Sequence, residues 1–217
     1  QWMSSTGADG VITENGWGWG WRGFAIDCVR QGGSVPTNEL MECFGMADGT
    51  NFPYEDLYGE GNNPDGIDIF VDRDPRLYET MVVPRKEFPY SVVGDYSGFQ
   101  YIDSWVKGSL ELGKYEGFNA DDIKTGYRRF KWFLDHTGGK MDDEFIGVSY
   151  IRLAEMYLIY AEALAETGNL SGALDQLHVV RSRVGLGRLE QMNPELNLTT
   201  DKDALINEIL RERNCEI

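Results

Sequence analysis

The stretch Ser149–Gly187, SYIRLAEMYLIYAEALAETGNLSGALDQLHVVRSRVGLG, decides the fold. Ile151, Ala154, Tyr157, Leu158, Ala161, Leu164 and Ala165 recur at helical spacing and make one apolar face. Leu153, Met156, Tyr160 and Ala163 make a second, so this helix is expected to be sandwiched between neighbours. Ser149 stands where it can cap the helix. The acidic run Asp142, Asp143, Glu144 lies just upstream, where negative charge suits a helix N-terminus. Thr167, Gly168 and Asn169 break the pattern. Leu170, Ala173, Leu174, Leu177, Val180 and Val184 then form the stripe of a second helix, which Gly185 ends. Alanines at 154, 161, 163, 165 and 173 allow the two backbones to approach closely.

The pair resembles a tetratricopeptide unit, in which a large residue of one helix packs beside small ones of the next. A single such unit cannot bury its own face, so the rest of the chain or a partner must cover it.

At 217 residues, with 41% hydrophobic and 12% aromatic content, the chain is long enough and apolar enough to fold around a real core. A net charge of −16 argues against nucleic acid as a partner, because phosphate is repelled by such a surface. It leaves neutral sugars and cationic ligands open. No apolar run approaches the ~20 residues of a transmembrane helix. No signal peptide is visible after Gln1, and the chain reads as part of a longer protein. Cys28, Cys43 and Cys215 show no metal-ligand spacing and read as buried free thiols. His136 and His178 are far apart, which disfavours zinc, and no cofactor or metal is expected.

Outward from the hairpin, the front of the chain is of another character. The tract Gly16–Trp21 alternates Gly with Trp, and an extended backbone would put Trp17, Trp19 and Trp21 on one face. Such rings either stack on apolar ligand faces or plug a hole in the core. Thr37 can cap a short helix whose Leu40, Met41 and Phe44 face inward, with Asp48 and Gly49 turning the chain. Residues 50–66 read as loop, Ile67–Val71 as a short strand, and Asp74–Pro75 as the start of a helix. The cluster Asp65, Asp68, Asp72, Asp74 invites calcium but fails the helix–loop–helix calcium pattern. Solvation, or pairing with Arg73 and Arg76, is the better reading. Residues 84–122 read as irregular, with Tyr101 and Trp105 as loop anchors or ligand aromatics. TGYRRFKWFL, residues 125–134, alternates like a strand. Residues 188–198 read as a polar connector. Thr200 and Asp203 resemble a capping box for a last helix, with Leu205, Ile206, Ile209 and Leu210 on its buried side.

Several of these stretches together closely resemble the SusD/RagB family. IRLAEMYLIYAEALAETG, ALDQLHVVRSRVGL and LINEILRERNCEI are similar to its C-terminal signature. PTNELMECFGMADG, RDPRLYETMV and TGYRRFKWF are similar to earlier landmarks in the same order. The resemblance runs from about Pro36 to the end. The family's further Arg/Trp segment, its N-terminal helices and its lipidated cysteine are absent from this chain, which suggests a C-terminal portion of a lipoprotein.

The resemblance implies a mainly α, SusD-like fold: a tetratricopeptide-like hairpin plus an irregular, loop-rich half with a few short strands. It implies no enzyme. The expected protein is an outer-membrane, cell-surface lipoprotein that captures oligosaccharide, or in some members peptide, and passes it to a SusC-like TonB-dependent transporter. The membrane would be reached only through the lipid anchor. We expect a loop-rich ligand-side region at 1–140 and a helical region at 141–217, together part of one SusD-like domain. Arg152, Glu155, Glu162, Arg181, Arg183, Glu212 and Arg213 are then expected to pair between packed helices, because an unpaired buried charge is costly. Ligand contacts are expected from Trp17, Trp19 and Trp21, then Tyr101 and Trp105, since flat aromatics suit the C–H face of a sugar. Asn15, Asn62 and Asp65 are candidate partners for hydroxyls. No catalytic residue is expected. Carboxylate pairs such as Asp9 with Glu14, Asp121 with Asp122 and Asp142 with Asp143 arise freely in a chain this acidic, and sequence spacing cannot show the separation that hydrolysis needs.

Overall fold

A computed structural model describes residues 36–53, 68–83, 127–131 and 151–217. Among them the fold is mainly helical, and the strands are β1 (Met81–Val82) and β2 (Arg128–Arg129). Contacts divide the chain into two compact units: Gln1–Thr37 with Glu79–Val148, and Asn38–Tyr78 with Ser149–Ile217.

In the first unit β1 and β2 run antiparallel, with Met81 opposite Arg129 and Val82 opposite Arg128. The amides of Phe130 and Lys131 both donate to the Thr80 carbonyl, at 2.8 and 3.1 Å. Met81, Val83 and Tyr127 are buried. The alternating pattern of 125–134 thus yields strand at 128–129, and Trp132 and Leu134 lie outside the described residues.

The second unit contains α1 (Asn38–Cys43), most of α2 (Pro75–Thr80), α3 (Leu153–Glu166), α4 (Leu170–Ser182), α5 (Leu189–Met192) and α6 (Lys202–Glu216). The two helices and the break between them form as the sequence predicts, although Ile151 precedes the first helix and is exposed. α3 ends in a Schellman motif: the Asn169 amide donates to the Leu164 carbonyl at 2.9 Å and the Gly168 amide to Ala165 at 3.0 Å, with Gly168 at φ +86°. Asn169 then caps α4 by accepting from the Gly172 amide at 3.0 Å. α4 ends in a second such motif, Leu186 to Arg181 and Gly185 to Ser182, with Gly185 at φ +85°. Two left-handed turns of this kind need glycine, and the sequence supplies one at each. α6 packs against both helices of the hairpin. Leu158, Ala161, Ala165, Ala173, Leu174, Leu177, Val180, Leu205 and Ile209 form the core between them.

Five local expectations are corrected. α3 starts at Leu153, and its N-cap position is held by Arg152 rather than Ser149. Its second apolar face is not sandwiched: Leu153 is 72% exposed, and Met156, Ile159 and Tyr160 are exposed as well. α4 and α6 occupy one side of α3, and among the described residues nothing covers the other. The polar connector at 188–198 holds α5 and a 3-10 turn, Pro194–Leu196, and buries Leu189, Asn193 and Leu198. The cap of α6 is Asp201, which accepts from the Ala204 amide at 3.0 Å. Thr200, a weaker capper, donates its hydroxyl to the Asn197 carbonyl instead. Finally, Asp68–Phe70 is a 3-10 turn rather than a strand. Its carbonyls are claimed by side chains, Ile69 by the Arg73 guanidinium and Phe70 by the Tyr78 hydroxyl.

Among the described residues no helix is long and apolar enough to cross a membrane.

Candidate functional site

The densest polar constellation in the described residues lies inside the second unit and is built on α6. Glu212 and Glu216 stand one turn apart on that helix, so both carboxylates leave the same face. Glu212 is fully buried, and each oxygen takes one guanidinium: Oε1 from Arg76 Nη1 at 2.6 Å, Oε2 from Arg181 Nη1 at 3.0 Å. Glu216 accepts from Arg152 at 2.9 Å, from Arg183 at 2.6 and 2.7 Å, and from Arg76 at 3.3 Å. Arg76 also clasps Asp74, with Nη2 2.7 Å from Oδ2 and Nε 3.1 Å from Oδ1. Burial works against the Arg76 charge, but hydrogen bonding to Asp74 and the charge of Glu212 overcome it, so its pKa stands above the ordinary guanidinium range.

Two arginines extend the knot to the loops. Arg181 donates to the carbonyls of Gly49 at 3.0 Å and Gly187 at 3.2 Å. Asn193 reinforces the same turn, donating to the Gly49 carbonyl at 3.0 Å and accepting from the Asn51 amide at 2.7 Å. Gly49 takes φ +100°, and a Cβ there would stand 2.9 Å from Arg181 Nη2 and from the Gly187 amide. Arg73, also buried, donates to the carbonyls of Met41, Phe44, Gly45 and Ile69 and stacks 3.8 Å above the Phe52 ring. It thereby holds the Met41 carbonyl in the last turn of α1 and the carbonyls of the two residues that follow the helix.

Chemically this is packing material. A general acid or base needs a carboxyl free to reach a substrate proton. Both oxygens of Glu212 and of Glu216 are held by guanidinium groups that come from α2, α4 and the start of α3. The expected pairing of Arg152, Arg181, Arg183 and Glu212 is found. Arg213 meets Glu155 at 2.8 Å and Glu162 at 4.0 Å on a more exposed face. Of the acidic cluster near residue 70, Asp74 pairs with Arg76, and Asp72 is exposed with φ +51°. The guanidinium of Arg73 is engaged by backbone carbonyls. Among the described residues no group of three or more His, Cys, Asp or Glu could hold a metal ion.

Sequence reasoning did not single out Glu216 or Asn193. Glu216 carried a signal, since it lies one helical turn beyond Glu212. Asn193 carried none, because its partners are backbone groups distant in sequence.

The candidate ligand residues Trp17, Trp19, Trp21, Asn62, Asp65, Tyr101 and Trp105 lie outside the described residues, as does Asn15.

An interhelical arginine–carboxylate knot behind a tetratricopeptide-like hairpin defines a helical scaffold. The model of the SusD family matches residues 5–217, and the chain belongs to that family. It is similar to a SusD-like protein from Bacteroides fragilis NCTC 9343 known from a crystal structure, with 26% sequence identity and a TM-score of 0.59. The match covers 84% of this chain and 33% of that one, so the chain spans about a third of that relative. No curated protein matches.

Proposed function

We propose that this protein is a cell-surface glycan-binding lipoprotein of the outer membrane that captures oligosaccharide and delivers it to a TonB-dependent transporter. It acts as a binding protein, not an enzyme. The observation that carries the reading is the family match over residues 5–217, which takes in the Gly-Trp tract as well as the helical scaffold. The tract supplies rings for the apolar face of a sugar, and Asn62, Asp65, Tyr101 and Trp105 supply further aromatic and polar contacts. The loop-rich region at 1–140 provides recognition and the helical region at 141–217 provides support. Retention on a polysaccharide affinity gel tests this. Replacing Trp19 and Trp21 by Ala abolishes retention while leaving the helical circular-dichroism signal intact; unchanged retention refutes the assignment. Co-purification with a large outer-membrane barrel tests the transporter half of the proposal.

A second reading, a tetratricopeptide-like scaffold that binds a peptide or protein segment, draws support from the exposed apolar stripe Leu153, Met156, Ile159 and Tyr160 on α3. Capture of a soluble peptide through that stripe, without glycan retention, is the outcome that favours it.

A further inference from the structure

Cys43 and Cys215 are distant in sequence, yet the second unit brings them together. Cys43 is the last residue of α1, and Cys215 lies in the last turn of α6. The Cys215 thiol donates to the Cys43 carbonyl at 3.1 Å, and the neighbouring Asn214 amide reaches the Cys43 sulfur at 3.9 Å. Two consecutive residues of α6 therefore converge on one cysteine. A carbonyl oxygen lies about 2.4 Å from its own Cα by standard bond geometry. The Cys215 sulfur is thus within about 5.5 Å of the Cys43 Cα, roughly an ångström farther than a disulfide places a partner sulfur. Rotation of the two side chains, with a small backbone shift at the C-terminal end of α1, closes that gap.

We propose that Cys43 and Cys215 are a disulfide-forming pair that staples α1 to α6. The surroundings tolerate the bond. The Cys43 carbonyl would lose the Cys215 donor but keep the Arg211 guanidinium, which donates to it at 2.6 Å, so no buried acceptor is orphaned. Cys43 is the half-buried member and Cys215 the sealed one once α6 is packed, so the exchange precedes full docking. The Cys43 thiolate attacks a dithiol oxidant in its disulfide form and expels one of its sulfurs. Cys215 then displaces the second by attacking the Cys43 sulfur. The two protons lost by the cysteines pass through solvent to the two expelled sulfurs, and the oxidant leaves as two thiols. Burial pushes both thiols above their ordinary range, so neither is a ready nucleophile in the packed state, and the bond forms while α6 is still docking. The proposal does not depend on what the protein binds.

The test is refolding of the full chain in a glutathione redox buffer, followed by maleimide blocking, digestion without reduction and mass spectrometry. The expected result is a Cys43–Cys215 linked peptide from monomeric protein, retained in Cys28→Ser and lost in Cys43→Ser. Dithiothreitol should lower the Tm of the oxidised wild type by on the order of 5–10 °C and leave Cys43→Ser unchanged. Linkage through Cys28, linkage only between chains, or full maleimide labelling of all three cysteines overturns the proposal. The wild-type peptide map decides the matter even if a variant folds poorly.

Discussion

Glu212 is where single-residue consequences concentrate. It is fully buried between Arg76 and Arg181, and no solvent is available to replace it. Glu212→Ala leaves buried Arg181 without its carboxylate and removes one of those held by Arg76, and should cost about 3–5 kcal/mol, read from chemical denaturation. Glu155→Ala removes a partner of half-buried Arg213 and should cost no more than about 1 kcal/mol in the same assay. The glycines separate steric from conformational cost. Gly168 has positive φ but open space where a Cβ would go, so Gly168→Ala should cost about 1–2 kcal/mol from backbone strain alone. Gly49→Ala adds a clash with Arg181 and with the Gly187 backbone, and should cost more than Gly168→Ala. Cys215 supplies a pH dependence. Desolvation raises its thiol from the ordinary 9.0, so in reduced protein the unfolded state loses this proton first. Stability from this group is complete below pH 9 and declines as pH rises beyond it. Thermal melts from pH 8 to 10.5 under reductant should fall more steeply for wild type than for Cys215→Ala.

Among the elements, the hairpin shows how far spacing can be read and where it stops. The apolar stripe, the break at Thr167–Asn169 and the stop at Gly185 are local signals, each satisfied by bonds within a few residues. The fate of the second α3 face is not local: apolar residues at helical spacing say that a surface can be covered, not that it is. The test compares two leucines of one helix. Leu158→Ala should cost about 2–5 kcal/mol, and Leu153→Ala should stay within about 0.5 kcal/mol. α5 escaped the same reading because a four-residue helix is too short to show a period, though Leu189 and Leu198 are as buried as any core residue. The α6 cap moved by one residue because Thr200 and Asp201 are both cappers and adjacent.

At the level of the whole chain, the order of landmarks from Pro36 onward was legible, and it indicated the family before any geometry was available. The recognition surface was not, because ring composition names candidates without saying which loops converge. The buried knot was half legible: alternating charges on α3, α4 and α6 announced ion pairs, but Asp74 and Arg76 join from a loop and a short helix far upstream. Net charge makes its own prediction. With −16 over 217 residues, self-repulsion opposes compaction, while the buried pairs are shielded from salt. Raising NaCl from 10 to 300 mM should therefore raise the Tm, and a fall would mean that exposed pairs dominate.

The knot also sets a timetable for synthesis. Arg76, Arg152 and Arg181 leave the ribosome well before residues 212–216, which carry the carboxylates that neutralise them. Until those residues emerge, closing the helical unit would bury Arg181 without its counter-charge and leave Arg76 with Asp74 alone, so the nascent chain has reason to stay open. A stop codon just upstream of Glu212 should accordingly yield no compact, protease-resistant product, although every core leucine from Leu158 to Leu205 would be present.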